Sequence, residues 1–253
     1  MIAKPSLPIL DRSHPLAKGL VACYPFFERG GARLRDISGS NNHGTLTNMD
    51  PATAWGKTPR GYGLNFDGIN NYVNVPTLIV GAKPLTMSMW VKYTNYGGMF
   101  FGQSNANSGV GFGIYLDWGF YGGIVSGGQW PNGIGPVTPP ILGEWTLVTI
   151  TIDAINGTKL YYNNVLKHSN TSIPANQINT TPVTIGYITP WSLYYTGGIG
   201  EFYYWNRTLL IKEIATLYAD PWSIYRTSPL NTVGSIPPIT TYLRNLALMG
   251  VGQ

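Results

Sequence analysis

The chain has 253 residues, of which 11 % are charged and 43 % are hydrophobic, and it contains 32 glycines, 19 prolines and 17 tyrosines. This apolar content excludes an intrinsically disordered chain. Low charge with many turn formers and aromatic residues favours an all-β domain over a helical one. The basic residues behind the net charge of +5 are scattered among predicted loops, so nucleic acid is not expected as a partner.

The first residues and the single cysteine bear on where the protein is made. Prolines interrupt residues 1–15, where a secretory signal would need an unbroken apolar stretch. No segment has the length of a membrane span, so membrane insertion is not expected. Cys23 lies in the apolar segment GLVACYPFF and is predicted to be a buried thiol. Together these features predict synthesis in the cytoplasm.

Short strand patterns follow one another along most of the chain. The alternation of apolar and polar residues is clear in LTMSMWVKY, and WTLVTITID and TKLYYNNVL flank a turn that predicts a hairpin. The predicted strands are Leu64–Gly68, Asn71–Pro76, Leu85–Tyr93, Trp145–Asp153, Thr158–Leu166, Val183–Tyr187 and Gly198–Asn206. Many short strands at this spacing predict a sandwich or a barrel.

One helix is predicted near the end of the strand region, over residues 208–219. Its apolar residues repeat at spacings of three and four and form a single stripe: Ile211, Ile214, Leu217 and Tyr218. Pro221 prevents the helix from continuing. We expect this helix to plug the open end of a two-sheet sandwich.

The two ends of the chain differ from the middle. Residues 1–15 and 227–253 are rich in proline, and Asp11 is their only acid. We therefore predict an N-terminal arm (1–15), a core (16–226) and a C-terminal arm (227–253), with both arms ordered only against a partner. The alternative is that both arms fold back on their own sandwich.

Several segments resemble one family in their order along the chain. The segments RDISGSNNHGTL, LNFDGINNYVNVP and GEWTLVTITID are similar to segments of laminin-G-like jelly rolls of the concanavalin A type. The later segment GIGEFYYWNRTLL resembles the strand that leads into a short final helix in that family. The resemblance covers about residues 18–222. It implies an all-β, two-sheet antiparallel jelly-roll sandwich in which residues 64–76 form a hairpin, and LYADPW resembles the ending of phage-encoded members.

The resemblance also implies a structural calcium ion, held by carboxylate, amide and backbone oxygens. The matching candidates are Asp36, Asp67 and Asn70, although Gly200 stands where the family often has an aspartate. The alternative is that Asp36 and Asp67 cap turns through their own backbone. No other cofactor is expected.

No catalytic residues are predicted. The eleven acids are dispersed, and none forms the strand-spaced pair that a glycosidase requires. The three histidines are far apart, and His43 is predicted to bond backbone in a turn. We therefore do not expect an enzyme.

Sugar binding by such folds uses aromatic platforms in loops. The candidate residues are Trp118, Tyr121, Trp130, Trp191, Tyr194 and Tyr195. The alternative is that these rings fill gaps in a glycine-rich core or pack against a neighbouring subunit. Trp90 and Trp145 lie in strand patterns and are predicted to be structural.

These features lead to one functional hypothesis with two alternatives. The hypothesis is a non-enzymatic phage virion protein, a head decoration or a tail or fibre component, that displays a lectin-like jelly roll for adhesion. Its arms would bind capsid or tail proteins, and a homo-oligomer and a cell-surface glycan are the other expected partners. The alternatives are a free-standing carbohydrate-binding module and a glycan hydrolase with unusual site geometry.

Overall fold

The structure, a computed structural model, describes residues 8–76, 78, 84–95, 97–104, 108–114, 120–126, 134–153, 155–171, 181–189 and 192–226. It contains one α-helix in these ranges, α1 (Ile211–Ala219), and a 3-10 turn at Pro15–Ala17. The strands are β1 (Ile9–Leu10), β2 (Leu20–Tyr24), β3 (Arg33–Leu34), β4 (Gly44–Thr47), β5 (Trp55–Thr58), β6 (Gly61–Asp67), β7 (Tyr72–Val75), β8 (Leu85–Tyr93), β9 (Gly98–Ser104), β10 (Ser108–Ile114), β11 (Phe120–Ser126), β12 (Ile134–Val137), β13 (Thr146–Asp153), β14 (Gly157–Tyr162), β15 (Val165–Asn170), β16 (Val183–Ile185), β17 (Tyr187–Ile188), β18 (Leu193–Tyr194), β19 (Thr196–Trp205) and β20 (Tyr225–Arg226).

Two large antiparallel sheets form the sandwich. We call the sheet with the order β15-β14-β13-β8-β19-β6-β5 the front sheet, and β2 also pairs with β19 in it. The back sheet has the order β12-β11-β10-β9-β16-β7-β4-β3. The predicted two-sheet antiparallel jelly roll is confirmed.

An aromatic core fills the space between the two sheets. Phe202 of β19 is fully buried and stacks on Tyr24 of β2 and on Phe101 of β9, with ring centroids 5.5 Å apart in each pair. These stacks join neighbouring front strands to each other and to the back sheet, and aromatic pairs of this kind add to the effect of burial alone.

A second apolar cluster covers the outer face of the front sheet, which points away from the back sheet. Trp205 and Tyr203 of β19 pack there against Ile214 and Leu217 of α1. The helix therefore lies on a sheet face and does not plug an open end, which corrects the prediction. The face needs this cover because it carries large apolar rings. Ile211, a member of the predicted apolar stripe, is 56 % exposed at the first helical position.

The two predicted turns between strands have different outcomes. The hairpin of β13 and β14 is confirmed, with Asp153 opposite Gly157. The hairpin expected at residues 64–76 is wrong, because β6 belongs to the front sheet and β7 to the back sheet. The connection crosses the sandwich, so Leu64 and Val73 enter the same core from opposite sheets.

Part of the predicted N-terminal arm belongs to the domain. In β1, Ile9 pairs with Arg226 and Leu10 with Tyr225, forming a two-stranded ribbon with β20. Leu10 is buried in the second cluster, as is Leu16 in the turn that follows. The expectation that residues 1–15 are ordered only against a partner is therefore wrong for residues 8–15. Residues 1–7 and 227–253 lie outside the described residues.

Candidate functional site

The carboxylate of Asp36, a predicted calcium ligand, is only 5 % exposed and accepts four hydrogen bonds. Its Oδ1 accepts from the backbone N–H groups of Cys23 (2.9 Å) and Ser38 (2.8 Å). Its Oδ2 accepts from Ser38 Oγ (2.8 Å) and the Asn42 N–H (2.9 Å). The Asp36 N–H donates to His43 Nδ1 at 3.0 Å, which confirms His43 as a turn residue. Four donors fill the lone-pair sites of one carboxylate, so these residues do not fit a metal ligand.

Asp67, the second predicted calcium ligand, caps the turn between the sheets. Its Oδ1 accepts from the backbone N–H groups of Ile69 (2.9 Å), Asn70 (3.3 Å) and Asn71 (3.3 Å). Desolvation raises the pKa of Asp67, but these backbone hydrogen bonds outweigh it and lower the pKa below its ordinary value.

The two aspartates lie far apart along β19. Asp67 is opposite Thr196, whereas Asp36 is bonded to Cys23, which is opposite Tyr203. Seven residues of strand separate these positions by about 23 Å. The predicted calcium site joining Asp36 and Asp67 is therefore wrong, and the turn-capping alternative describes both residues. Among the residues that the structure describes, no group of three or more His, Cys, Asp or Glu side chains could hold a metal ion.

Turn capping is common to the aspartates of the described ranges. Each accepts a hydrogen bond from the backbone N–H two residues further on, as an Asx turn does. These residues are Asp11, Asp36, Asp50, Asp67, Asp153 and Asp220. Their carboxylates hold loops in place and are spread over the whole domain.

The predicted sugar-binding aromatics separate into three groups. Trp118, Trp130 and Trp191, and the side chain of Tyr121, lie outside the described residues. Tyr195 is a core residue, 1 % exposed, with its ring against Phe66 and Phe100, so its predicted sugar contact is wrong. The core position of Tyr195 could not be recognised from its loop-like sequence context, because this residue follows directly on the short β18 and its side chain turns inward.

Tyr194 lies in a half-buried group of three tyrosines at the β17–β18 hairpin. Its ring stacks on Tyr187 at 4.3 Å, and Tyr187 contacts Tyr72 of β7 at 5.4 Å. Desolvation, followed by the interaction with Tyr187, raises the pKa of Tyr194. We call this group the tyrosine cluster. It brings one predicted residue to a partly accessible aromatic surface.

A second aromatic surface, on the outer face of the front sheet, is built around two stacked tryptophans. Trp90 of β8 and Trp145, just before β13, have ring centroids 6.2 Å apart and planes 11° apart. Glycines make room for them, because a Cβ on Gly198 would lie 2.7 Å from Trp145 and one on Gly200 would lie 3.0 Å from Trp90. Trp90 is buried, as expected of a structural residue, whereas Trp145 is half-buried and lines a cleft.

One cleft borders each tryptophan. The cleft at Trp90 has a volume of about 310 Å³ and lies between the β5–β6 turn and the end of α1. Arg60 lies over the Trp90 ring at 4.0 Å and donates to the backbone carbonyl of Tyr218 in the last turn of α1, at 2.7 Å. This arrangement fixes the guanidinium by a cation–π contact and by the negative end of the helix dipole.

The cleft at Trp145 has a volume of about 290 Å³ and is also lined by Gly198, over which one edge of the Trp145 ring lies. Gly198 is opposite Lys92 of β8 on one side and opposite Asn65 of β6 on the other. Adjacent strands are about 4.8 Å apart, so the trough between Lys92 and Asn65 is about 10 Å wide. Lys57 of β5 also lines it. We call the two clefts and the stacked pair the tryptophan groove.

The sequence offers no signal for this groove. Lys92, Trp145 and Gly198 are separated by about fifty residues each, and only the pairing of β13, β8 and β19 brings them together. A tryptophan in an alternating strand pattern is ordinarily a core residue. The exception arises because Trp145 packs on Gly198 at the surface of the sheet, where part of its ring stays exposed.

Comparisons with known proteins agree with the fold. The sequence matches the concanavalin A-like lectin/glucanases superfamily over residues 66–215. The chain therefore belongs to this superfamily. No curated protein matches the sequence.

Solved structures share the architecture at low sequence identity. Domain 4 of AbnA, a GH43 extracellular arabinanase from Geobacillus stearothermophilus, in complex with arabinotriose, is 22 % identical with a TM-score of 0.62, covering 79 % of this chain and 98 % of that one. The binding domain of botulinum neurotoxin DC in complex with SialylT is 16 % identical (TM-score 0.61), covering 81 % and 52 %. Trypanosoma rangeli sialidase is 14 % identical (TM-score 0.56), covering 82 % and 33 %. This chain thus spans about half of the neurotoxin chain and a third of the sialidase.

The described part of the chain has no helix of the length and apolar character needed to cross a membrane.

Proposed function

We propose that the protein is a non-catalytic carbohydrate-binding jelly roll and that the tryptophan groove is its binding site. The observation that carries the proposal is the Trp145 cleft, which is lined by a half-buried indole ring together with Asn65, Lys57 and Lys92. A pre-formed cleft with an aromatic wall and a few convergent polar groups is the usual form of a small-ligand site.

Two of the similar structures support a saccharide as the ligand. The arabinanase domain is in complex with arabinotriose, and the neurotoxin binding domain is in complex with SialylT. Their identities are too low to transfer a residue-level site, so the groove is argued from this chain alone.

The proposal of a non-catalytic role rests on what the described acids do. Every described aspartate accepts a turn hydrogen bond, and Glu213 is held by Arg207. The side chains that line the two clefts include three cations and, within the described ranges, no aspartate or glutamate. A pair of carboxylates across a sugar ring, which glycoside hydrolysis uses, would have to come from elsewhere.

A glycan array followed by titration calorimetry tests the groove. Trp145→Ala should weaken saccharide binding at least about tenfold, because burial of a large ring contributes more than the 1.4 kcal/mol that a tenfold change represents. Tyr194→Ala is the matched control, since it removes a half-buried ring from the tyrosine cluster. Loss of binding in Tyr194→Ala but not in Trp145→Ala would assign the binding site to the tyrosine cluster. If the protein binds no glycan, the proposal is overturned.

The more specific part of the proposal is that the domain is displayed on a phage particle, made in the host cytoplasm and exposed on the virion. The ribbon of β1 and β20 supports it, because Ile9 and Arg226 are opposite each other and the described domain therefore begins and ends at one place. This arrangement suits attachment to capsid or tail proteins, or to further copies of the chain, through one end of the domain.

Peptide mass spectrometry of purified particles tests this part. Detection of the chain in stoichiometric amounts supports display on the virion. Its absence from particles, together with glycan binding by the isolated protein, would instead favour a free-standing carbohydrate-binding module.

A further inference from the structure

We infer that the tryptophan groove selects acidic saccharides, whose carboxylate or sulfate groups contact Lys57, Lys92 and Arg60. The inference rests on the proposed function and specifies the class of sugar that the same site takes. It comes from the distribution of charge in the groove and not from the similar structures.

All three formal charges on the groove lining are positive. Lys57 and Lys92 line the Trp145 cleft, and Arg60 lines the Trp90 cleft. Glu201 follows Gly200 on β19 but is fully buried, so its carboxylate is not part of the groove surface. A cleft with charges of one sign and low-dielectric walls concentrates its field on the ligand inside.

The cations stand on two sides of the trough. Lys92 is in register with Gly198 on the β8 side, whereas Lys57 belongs to the edge strand β5. A sugar ring packed against the exposed part of Trp145 would lie between these two lysines, which line the same cleft. Neutral hydroxyls need only hydrogen-bond partners, so an amide such as that of Asn65 would serve them equally well. Two lysines are the better match for anionic substituents, since hydrogen bonds between charged groups are the stronger ones.

Arg60 extends the positive surface past the tryptophan pair. Its guanidinium is held against Trp90 at 4.0 Å and by the carbonyl of Tyr218. The guanidinium has five N–H groups, and these two contacts do not use all of them, so the others can bind a ligand. A chain with regularly spaced acidic groups would therefore meet one cation in the Trp90 cleft and two in the Trp145 cleft.

Matched pairs of acidic and neutral glycans test the inference with the full-length protein. The pairs are oligogalacturonate and its methyl ester, which isolate the carboxylate, and dextran sulfate and dextran, which isolate the sulfate. The acidic member should bind more tightly, and its affinity should fall as salt is raised. Lys57→Gln and Lys92→Gln should each weaken binding of the acidic member about fivefold more than binding of the neutral member, as expected for the loss of a partly exposed ion pair. Lys92→Arg should restore binding.

Lys212→Gln is the matched control, because Lys212 is exposed on α1 outside both clefts. An equal loss in Lys212→Gln would assign the effect to the overall charge of +5 and overturn the inference. If polyglutamate binds as tightly as the acidic glycans, and if Trp145→Ala does not weaken this binding, the inference is also overturned. If acidic and neutral sugars bind equally and Trp145→Ala removes both, the selectivity is wrong and the proposed function stands. If no glycan binds, both are wrong.

Discussion

Arg207 and Glu213 form a two-pronged ion pair that joins the end of β19 to the first turn of α1. Nη1 lies 2.8 Å from Oε2 and Nη2 lies 2.7 Å from Oε1, and the same carboxylate accepts from the Leu210 N–H at 2.8 Å. Arg207 also donates to the backbone carbonyls of Pro15 and Lys18. One side chain thus connects the helix, the central strand and the N-terminal segment.

The ion pair predicts a specific acid sensitivity. Desolvation raises the pKa of Glu213, but the hydrogen bonds from Arg207 and Leu210 outweigh it, and the folded-state pKa is lowered. Its contribution to stability is therefore present above about pH 4.3, the ordinary pKa of glutamate, and is lost as the pH falls through the folded value. Melting curves between about pH 7 and pH 3 should show a smaller acid-induced loss in Glu213→Gln than in the wild type. Parallel curves for the two proteins would contradict the prediction.

Asp36 should be one of the most sensitive positions in the domain. Asp36→Ala leaves the buried N–H groups of Cys23 and Asn42 without their acceptor, at about 1–3 kcal/mol for each group. We expect a loss of about 2–6 kcal/mol in the free energy of unfolding, measured in urea. Asp50→Ala, which removes an exposed turn cap, is the control and should cost about 1 kcal/mol. Equal effects would show that the buried network around Asp36 adds nothing.

Chelation should not change the melting temperature. The oxygens of Asp36 are filled by protein donors, and Asp67 lies too far away to share an ion with it. A calcium site at 100 times its Kd would contribute about 2.7 kcal/mol, enough to move the melting curve visibly. A fall of several degrees on addition of EDTA, reversed by calcium alone, would reveal a site that these residues do not form.

Truncation at two points should locate the end of the domain. Removal of residues 227–253 retains the β1–β20 ribbon, so the melting temperature should stay close to that of the full chain. Removal of residues 224–253 also takes away Ile224 and Tyr225, which are buried in the second cluster. Because burial of each such side chain contributes about 1.5–3 kcal/mol, the shorter protein should be clearly destabilised. If both truncations unfold the protein, the domain extends beyond residue 226.

A single added methyl group tests the packing of Trp145 on Gly198. The Cβ of Gly198→Ala would lie 2.7 Å from the Trp145 ring and should displace it. Saccharide affinity should fall severalfold, with a loss of about 1–3 kcal/mol in stability from overpacking. Gly30→Ala is the control, since its Cβ would have no neighbour within 4 Å. Unchanged affinity in Gly198→Ala would exclude Trp145 as the binding wall.

The fold was predictable because its signals are local. The alternation in β8, the hairpin of β13 and β14, and the spacing of Ile214 and Leu217 can each be recognised within about ten residues of sequence. The turn-capping alternative for Asp36 could be formulated for the same reason, since its partners Ser38, Asn42 and His43 are sequence neighbours.

The site was not predictable from local patterns. The groove depends on strand order, which places Gly198 between Lys92 and Asn65, and on the absence of a side chain at that glycine. The residues that sequence reasoning favoured were aromatic and loop-like, and Tyr195 shows the weakness of that criterion. Its one-residue offset from Tyr194 turns the ring from the surface into the core.

The ribbon of β1 and β20 allows the domain to be circularly permuted or inserted into another protein. Because Ile9 and Arg226 are neighbours, a short linker could join them and new termini could be opened in an exposed turn, such as the one capped by Asp153, to give a circular permutant. For the same reason the segment from residue 8 to residue 226 could be inserted into a surface loop of an unrelated protein. In such a fusion protein the jelly roll would be attached through the two strands of the β1–β20 ribbon, and both sheets of the sandwich would be unchanged.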